Sequence, residues 1–150
     1  WDDDASLLEP KLPVVEAEWF PIDREARLSV VSATGHVLND DYRFASVFGS
    51  DSVTFFERFG QDAWPVADQY YAFNYPPAAA WVGGYAAFAQ WDPREGREDE
   101  DWLLLLEIDS SSENGLVIMW GDAGVATFLI RREDLRQKNF SKVLYYWDSH

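Results

Sequence analysis

The sequence contains no cysteine and only two histidines, His36 and His150. The absence of cysteine excludes disulfides, thiolate nucleophiles and zinc–thiolate sites. The scarcity of histidine removes the most common general base and metal ligand from almost the whole chain. A chain without cysteine suits a reducing compartment, and we therefore expect a cytoplasmic protein.

Long apolar runs are missing too, so the sequence predicts no membrane span. Aromatic residues, by contrast, are plentiful: the 150 residues include 8 Trp, 7 Tyr and 10 Phe, which argues against disorder. This length fits one domain with its own core. We expect a single domain over residues 1–150, with an extended lead-in at 1–13. The chain begins with Trp1 rather than Met, so we expect the native N-terminus to lie upstream.

Negative charge prevails, with 27 acidic against 12 basic residues and a net charge of −15. Such a field repels phosphate backbones and anionic lipids, so we expect no binding to nucleic acids or membranes. It favours a basic protein as partner. The excess is uneven, because residues 1–70 hold 14 acids and 5 bases, whereas residues 102–150 hold 7 and 5. Solubility alone is the plain alternative explanation.

The first two thirds of the chain predict few regular elements. The segment RLSVVS at 27–32 predicts a short strand. Asp51 is suited to N-cap a helix that buries Val53 and Phe56 on one face. The aromatic, Ala-, Gly- and Pro-rich residues 61–94 predict an irregular region.

The last third is more regular. Strands are predicted at 102–108, 116–120, 125–130 and 143–147, and a short helix at 132–138. The first three strands are expected to form an antiparallel meander, because turn residues separate them. The sequence therefore predicts an α+β fold, mostly antiparallel sheet with short helices, in which residues 102–148 form the core.

Several short segments of this part occur together in one known family. They are the Leu-rich strand ending in Ile108-Asp109, the turn from Met119 to Gly124, and Glu133-Asp134-Leu135 followed by Phe140 to Val143. Gly83-Gly84-Tyr85 with Gln90 is a weaker match. On these residues the chain resembles the bacterial YwqG-like family, which has no known function, over about residues 102–148.

The resemblance implies a mixed α+β fold built largely on antiparallel sheet. It implies no established catalytic residues. We expect no metal or cofactor. Some members of that family are encoded beside secreted toxins and look like immunity proteins. From this resemblance and the charge we expect a non-catalytic immunity protein, whose partner is a basic cognate toxin such as a nuclease.

Two groups of side chains are candidates for binding such a partner. Acidic clusters offer carboxylates to Lys and Arg, and aromatic residues are frequent anchors of interfaces. The aromatic candidates are Trp81, Tyr85 and Trp91. The acidic candidates are Asp40, Asp41, Glu98, Asp99, Glu100 and Asp101, with Asp2-Asp3-Asp4 as a third cluster. Each cluster is also typical of a solvated loop, and the aromatic side chains are also typical of core packing.

Two other functions stay open. A carbohydrate or small-ligand module would use Trp81, Tyr85 and Trp91 as stacking platforms. A hydrolase would use Asp109 and Asp122, which flank a predicted strand, although Asp at such turns more often bonds neighbouring amides. A lone His36 without a nucleophile motif indicates a structural rather than a catalytic residue.

Overall fold

A computed structural model describes residues 20–76 and 78–150. The helices are α1 (Phe44–Phe48), α2 (Ser52–Glu57), α3 (Ala63–Asn74) and α4 (Arg132–Arg136). The strands are β1 (Ala80–Trp81), β2 (Trp102–Asp109), β3 (Ser111–Glu113), β4 (Leu116–Ile118), β5 (Val125–Arg131) and β6 (Leu144–Asp148). The predicted α+β class with mostly antiparallel sheet is confirmed.

The main sheet has the strand order β1-β2-β5-β6, and each neighbouring pair is antiparallel. A bulge in β2 between Leu104 and Leu106 shifts its register against β5. In an unbroken strand Leu104 and Glu107 would point to opposite faces. The bulge turns both to the same face, where Leu104 lies opposite Leu129 and Glu107 opposite Thr127. An acid is thereby placed among apolar side chains in the middle of the sheet.

The hairpin β3–β4 forms a second, separate sheet. The predicted meander is therefore wrong in its pairing, since β2 pairs directly with β5 and residues 111–118 leave the main sheet. Ser110 fixes this exit. Its hydroxyl donates to the Gly124 carbonyl (2.7 Å) and accepts from the Trp120 amide (2.9 Å). The base of the hairpin is thus tied together, which lets β2 and β5 meet.

Both faces of the main sheet are covered. The first face packs against a buried segment that precedes β2, and the second face packs against the hairpin. First-face core residues are Ala86, Phe88, Trp102, Leu104 and Leu129, with Leu144 and Tyr146 packed beside them. Second-face core residues are Ile118, Trp120 and Ala126, with Ile22, Ile108, Leu116 and Phe128 packed beside them.

The three N-terminal helices enclose an aromatic core of their own, built on Val37, Phe44 and Phe56. The prediction that residues 61–94 are irregular is wrong, because they contain the twelve-residue helix α3. Only a narrow stripe of α3 packs inward, while large apolar side chains such as Trp64 lie on its exposed side. This mixture hides the helical period in the sequence.

Two further expectations about this half are tested by the structure. Asp51 does cap α2, since its side chain accepts a hydrogen bond from the Thr54 amide at 2.9 Å. The expected buried face is partly wrong, because Val53 is exposed and Phe55 packs beside Phe56 instead. Phe44 and Phe48 of α1 lie on that side of α2, and their rings pack against Phe55.

The predicted strand at 27–32 is not a strand in the structure. Its side chains are exposed, Val30 to 93%. In the described part of the chain no strand pairs with this segment, so its strand-forming residues have nothing to bond with. The lead-in at 1–13, including Asp2-Asp3-Asp4, lies outside the described residues. Within 20–76 and 78–150 no helix has the length and apolarity needed to cross a bilayer.

Gly124 provides a test of the junction between the hairpin and the main sheet. A Cβ on Gly124 would lie 1.8 Å from the backbone oxygen of Asp148 in β6, and backbone cannot move aside cheaply. We expect Gly124→Ala to lower the free energy of unfolding by about 2–3 kcal/mol, as overpacking does. Gly35→Ala is the matched control, because nothing lies within 4 Å of that position. Chemical denaturation of both variants measures the difference, and equal stabilities would show the junction to be compliant.

Candidate partner-binding cleft

A buried ionic network joins the helical part of the chain to the loop before β2. Arg94 is completely buried and binds Asp92 through two hydrogen bonds of 2.8 and 2.7 Å. The same guanidinium donates to Asp41 at 2.9 Å. Arg43, two residues after Asp41, donates to it at 2.8 and 2.5 Å. We call Asp41, Arg43, Asp92 and Arg94 the Arg94 network.

Aromatic rings and charge hold the Arg94 network in one geometry. The Arg94 guanidinium carbon lies 4.9 Å from the centre of the Tyr42 ring and 5.4 Å from that of Phe88. Burial by itself would raise the pKa of Asp41. Hydrogen bonds from Arg43 and the charge of Arg94 outweigh this effect, and the pKa of Asp41 lies below its usual value. Asp41 is therefore an ionised carboxylate whose oxygens already have partners.

Three carboxyl groups hold the buried segment that crosses the first face of the sheet. Glu107 accepts the amide of Ala87 at 2.8 Å, and Asp40 accepts that of Phe88 at 2.9 Å. Asp148, near the end of β6, accepts the next two amides at 3.2 and 2.8 Å. Four consecutive backbone donors, from residues 87 to 90, are thus satisfied by side chains. We call Asp40, Glu107 and Asp148 the carboxylate clamp.

Two members of the carboxylate clamp titrate far from their usual range. Burial raises the pKa of Glu107 to about 9, because the charged form loses its hydration. Burial likewise raises the pKa of Asp40 to about 7. Near neutral pH, Glu107 is therefore a neutral acid, while Asp40 is divided between its two forms.

Asp41 and Asp92 of the Arg94 network, together with Asp40, form part of the wall of a cleft of about 230 Å³. It lies where the loop before α1, the start of α2 and the loop at residues 90–95 meet. The lining residues are Asn39, Asp40, Asp41, Tyr42, Phe44, Ala45, Asp51, Ser52, Gln90, Trp91, Asp92 and Glu95. Five of these twelve are acids and none is Lys or Arg, so the lining is acidic, although Arg43 and Arg94 compensate Asp41 and Asp92 from behind.

Unused hydrogen-bond acceptors add to that character. The Oδ1 atoms of Asn39 and Asp40 are both buried, and neither has a hydrogen-bond partner in the described part of the chain. Buried polar atoms are normally paired, so these two acceptors are exceptions, as is the unpaired Nη1 donor of Arg94. Trp91 lines the same cleft with 54% of its surface exposed. A donor-rich cation with an apolar stem would satisfy both features.

The structure brings together only part of the site predicted from sequence. Asp40, Asp41 and Trp91 converge on the cleft. Trp81 and Tyr85 do not line it. The Trp81 indole donates to the Tyr85 carbonyl at 3.3 Å, and the Tyr85 ring packs under Arg43 at 4.5 Å. These two aromatic side chains therefore act in packing, which is the alternative weighed for them above.

The cluster from Glu98 to Asp101 also lies away from the lining of the cleft. Glu100 binds Arg97 and Arg131, and Asp101 binds Arg132 at 2.7 Å. These two acids are compensated within the chain, which weakens their case as contacts for a basic partner. Glu98 accepts the amide of Gly96, and Asp99 is exposed.

The two acids considered for hydrolysis are placed differently from each other. Asp109 accepts the Tyr75 hydroxyl at 2.8 Å and lines a small cavity of about 40 Å³. Asp122 is exposed and is not part of that cavity, and His36 is exposed as well. Among residues 20–76 and 78–150, no group of three or more His or acidic side chains is arranged to hold a metal ion.

Sequence reasoning missed nine of the twelve lining residues, among them Asn39, Asp51, Asp92 and Glu95. Asp51 was identified only as a helix cap. A weak signal was present for Asp92 and Glu95, which flank Arg94 in WDPRE, where an Asp-Pro pair indicates a turn. Nothing local indicated that this turn meets the Asn39–Asp41 loop fifty residues earlier.

The fold and this cleft define an α+β protein with an acid-lined recess. The chain belongs to the family described as "Domain of unknown function (DUF1963)", whose model matches residues 4–149. No curated protein matches the chain.

Glu107 gives the carboxylate clamp a testable pH response. Its pKa in the folded state is about 9, above the usual 4.5, so the folded state holds a proton that the unfolded state has lost. The free energy of unfolding then falls by up to about 1.4 kcal/mol per pH unit between pH 7 and 8.5. We expect Glu107→Gln to remove this slope, because Gln replaces the neutral acid.

Denaturant unfolding at several pH values measures this slope. Glu113→Gln is the control, since Glu113 is an exposed acid in β3, and its slope should match that of the unchanged chain. Parallel pH profiles for the two variants would show that Glu107 is ionised in the folded protein.

Proposed function

We propose that this protein is a non-catalytic binding protein that captures a basic protein by receiving a Lys or Arg side chain in the acid-lined cleft. The observation that supports this most is the composition of the cleft wall. Asp40, Asp51 and Glu95 line it without an ion-pair partner among the described residues. A guanidinium or ammonium ion supplies the donors and the positive charge that this wall lacks.

Trp91 supplies the second part of the recognition. A Trp at the edge of a recess can stack on a guanidinium or cover the methylene stem of Lys, and Trp is frequent among binding hot spots. The net charge of −15 strengthens the approach of a basic partner from a distance. Long-range attraction and a local acceptor site therefore act in the same direction.

The size of the cleft favours a side chain over a larger ligand. Its volume of about 230 Å³ is below the roughly 300–1,000 Å³ of typical small-molecule pockets. Of the three aromatic residues that a carbohydrate module would need, only Trp91 lies there. We therefore rank the carbohydrate module below capture of a protein, and the hydrolase below both because Asp109 and Asp122 do not share a cavity.

The finer proposal is an immunity protein that acts in the cytoplasm on a basic cognate toxin such as a nuclease. The YwqG-like resemblance of residues 102–148 supports it, because some members of that family look like immunity proteins. The mechanism is occlusion. A cationic side chain that the toxin uses to hold phosphate is engaged by carboxylates instead, and the substrate is excluded.

A charge-reversal pair tests capture in the cleft. We expect Glu95→Lys to weaken binding of a labelled octa-arginine peptide at least tenfold, about 1.4 kcal/mol, because it removes one carboxylate of the wall and adds a repelling charge. Glu57→Lys is the matched control, since Glu57 is an exposed acid of α2 outside the cleft and its replacement changes the net charge equally. Fluorescence anisotropy at about 0.05 M salt measures both.

Equal weakening by the two variants would reduce the effect to net charge and contradict the cleft. The immunity proposal has its own assay. A basic protein retained from the source cell and released at about 0.5 M salt is expected to arrest growth when expressed alone. Co-expression of the unchanged chain should restore growth, and co-expression of Glu95→Lys should fail to do so. A retained protein that does not arrest growth would contradict immunity while leaving capture intact.

Asp40 predicts a pH dependence of the same binding. Its pKa of about 7 means that the carboxyl is largely neutral at pH 6 and largely charged at pH 8. A cation binds the charged form, so protons compete with it and octa-arginine should bind about three- to tenfold more tightly at pH 8 than at pH 6. Asp40→Asn is expected to flatten this profile, because Asn does not titrate. Asn still provides an oxygen that accepts the Phe88 amide, so the local fold is kept. Asp68→Asn, an exposed acid of α3, should retain it.

A further inference from the structure

The main sheet has two edges, and they differ in how they are protected. One edge is the two-residue strand β1, and a short edge strand offers little to pair with. The other edge is β6, five residues long and bonded only to β5. In the described part of the chain, no other segment adds backbone hydrogen bonds to β6 from its outer side.

Strand β6 also has few of the devices that keep edges from pairing. Its sequence LYYWD contains no Pro and no Lys, and its pairing with β5 runs without a bulge. Its one charged residue, Asp148, is buried and bound to the amides of residues 89 and 90. In a chain with a net charge of −15, an edge strand with no exposed charge is a local exception.

The exposed side of β6 is aromatic. Tyr145 and Trp147 each expose 48% of their surface. Alternate residues of a strand share a face, so both lie on the second face of the sheet. Tyr145 packs on Phe128 with ring centres 5.0 Å apart and contacts Trp120 at 6.4 Å. The strand therefore continues an existing aromatic layer out to an open edge.

We propose that a second copy of this chain occupies this edge, with β6 pairing antiparallel to β6 of the partner across a twofold axis. The aromatic face of the strand is complementary to itself about Tyr146. Pairing centred there places Tyr145 opposite Trp147 of the other copy on one face, twice by symmetry. The result is a continuous eight-stranded sheet in which both half-exposed aromatic side chains gain a cross-strand aromatic neighbour.

Charge distinguishes this interaction from capture of a basic partner. Two copies that each carry −15 repel one another, and salt screens that repulsion. Dimerisation should therefore strengthen as salt is raised from about 0.05 to 0.5 M, whereas binding of a basic partner in the cleft should weaken. The proposed dimer does not depend on the proposed function, and the opposite salt responses separate their failures.

Absence of native cysteine allows a direct test by disulfide trapping. We mix chains carrying Tyr145→Cys with chains carrying Trp147→Cys under mild oxidation. Directly opposite Cβ atoms are about 4.5–5.5 Å apart, close enough to relax into a disulfide, whereas diagonal ones are about 7–8 Å apart. We expect cross-linked dimers in the mixture and few in either variant alone. Equal yields in all three samples would overturn the pairing.

Sedimentation velocity of the unchanged chain over about 5–200 μM provides the second measurement. We expect a concentration-dependent dimer that Trp147→Lys weakens at least tenfold, while Phe73→Lys, on the exposed side of α3, leaves it unchanged. A monomer throughout this range at both salt concentrations would overturn the proposal. Trapping of Tyr145→Cys by Val30→Cys rather than by Trp147→Cys would also overturn it, and would assign the edge to the unpaired segment at 27–32.

Discussion

The buried guanidinium of Arg94 is the interaction on which the arrangement of the other parts depends. A fully buried cation without partners is costly, so Arg94 requires both of its carboxylates. Asp92 comes from its own turn, but Asp41 comes from the loop before α1. The ionic requirement therefore fixes the helical part against the loop before β2. It also positions Asp40, the residue before Asp41, to bind the Phe88 amide.

The same network explains why the cleft is negative without being unstable. Asp41 and Asp92 are neutralised on their inner side by Arg94, so these two acids do not repel each other. Asp40 relieves the remaining repulsion by holding a proton about half of the time near neutral pH. A cation bound in the cleft as proposed would take the place of that proton. Partial protonation of Asp40 thus keeps a carboxyl group at the cleft without a permanent buried charge.

Features that depend on neighbouring residues could be predicted from the sequence, whereas features that depend on contacts between distant residues could not. Strands β2 and β5 and helix α4 follow from local apolar runs and turn residues, and these predictions are confirmed. The cleft required contacts between positions about fifty residues apart, and no local pattern encodes those. The bulge at Leu104–Leu106 is a subtler case. In the run WLLLLEID every position is apolar up to Glu107, so alternation cannot reveal which face the acid takes.

Trp91 links the two surfaces for which binding is proposed. It lines the cleft, and its ring meets that of Tyr146 edge-on at 5.9 Å. The proposed pairing of β6 is centred on Tyr146, so in the proposed dimer each cleft would lie one aromatic contact from the twofold axis. A partner that displaces Trp91 would disturb the packing of Tyr146 at that axis and so change the affinity of dimerisation. By linkage, dimerisation would change the affinity of the cleft for that partner by the same factor. At a fixed salt concentration, affinity in the cleft should then depend on protein concentration, and the size of this dependence measures the coupling.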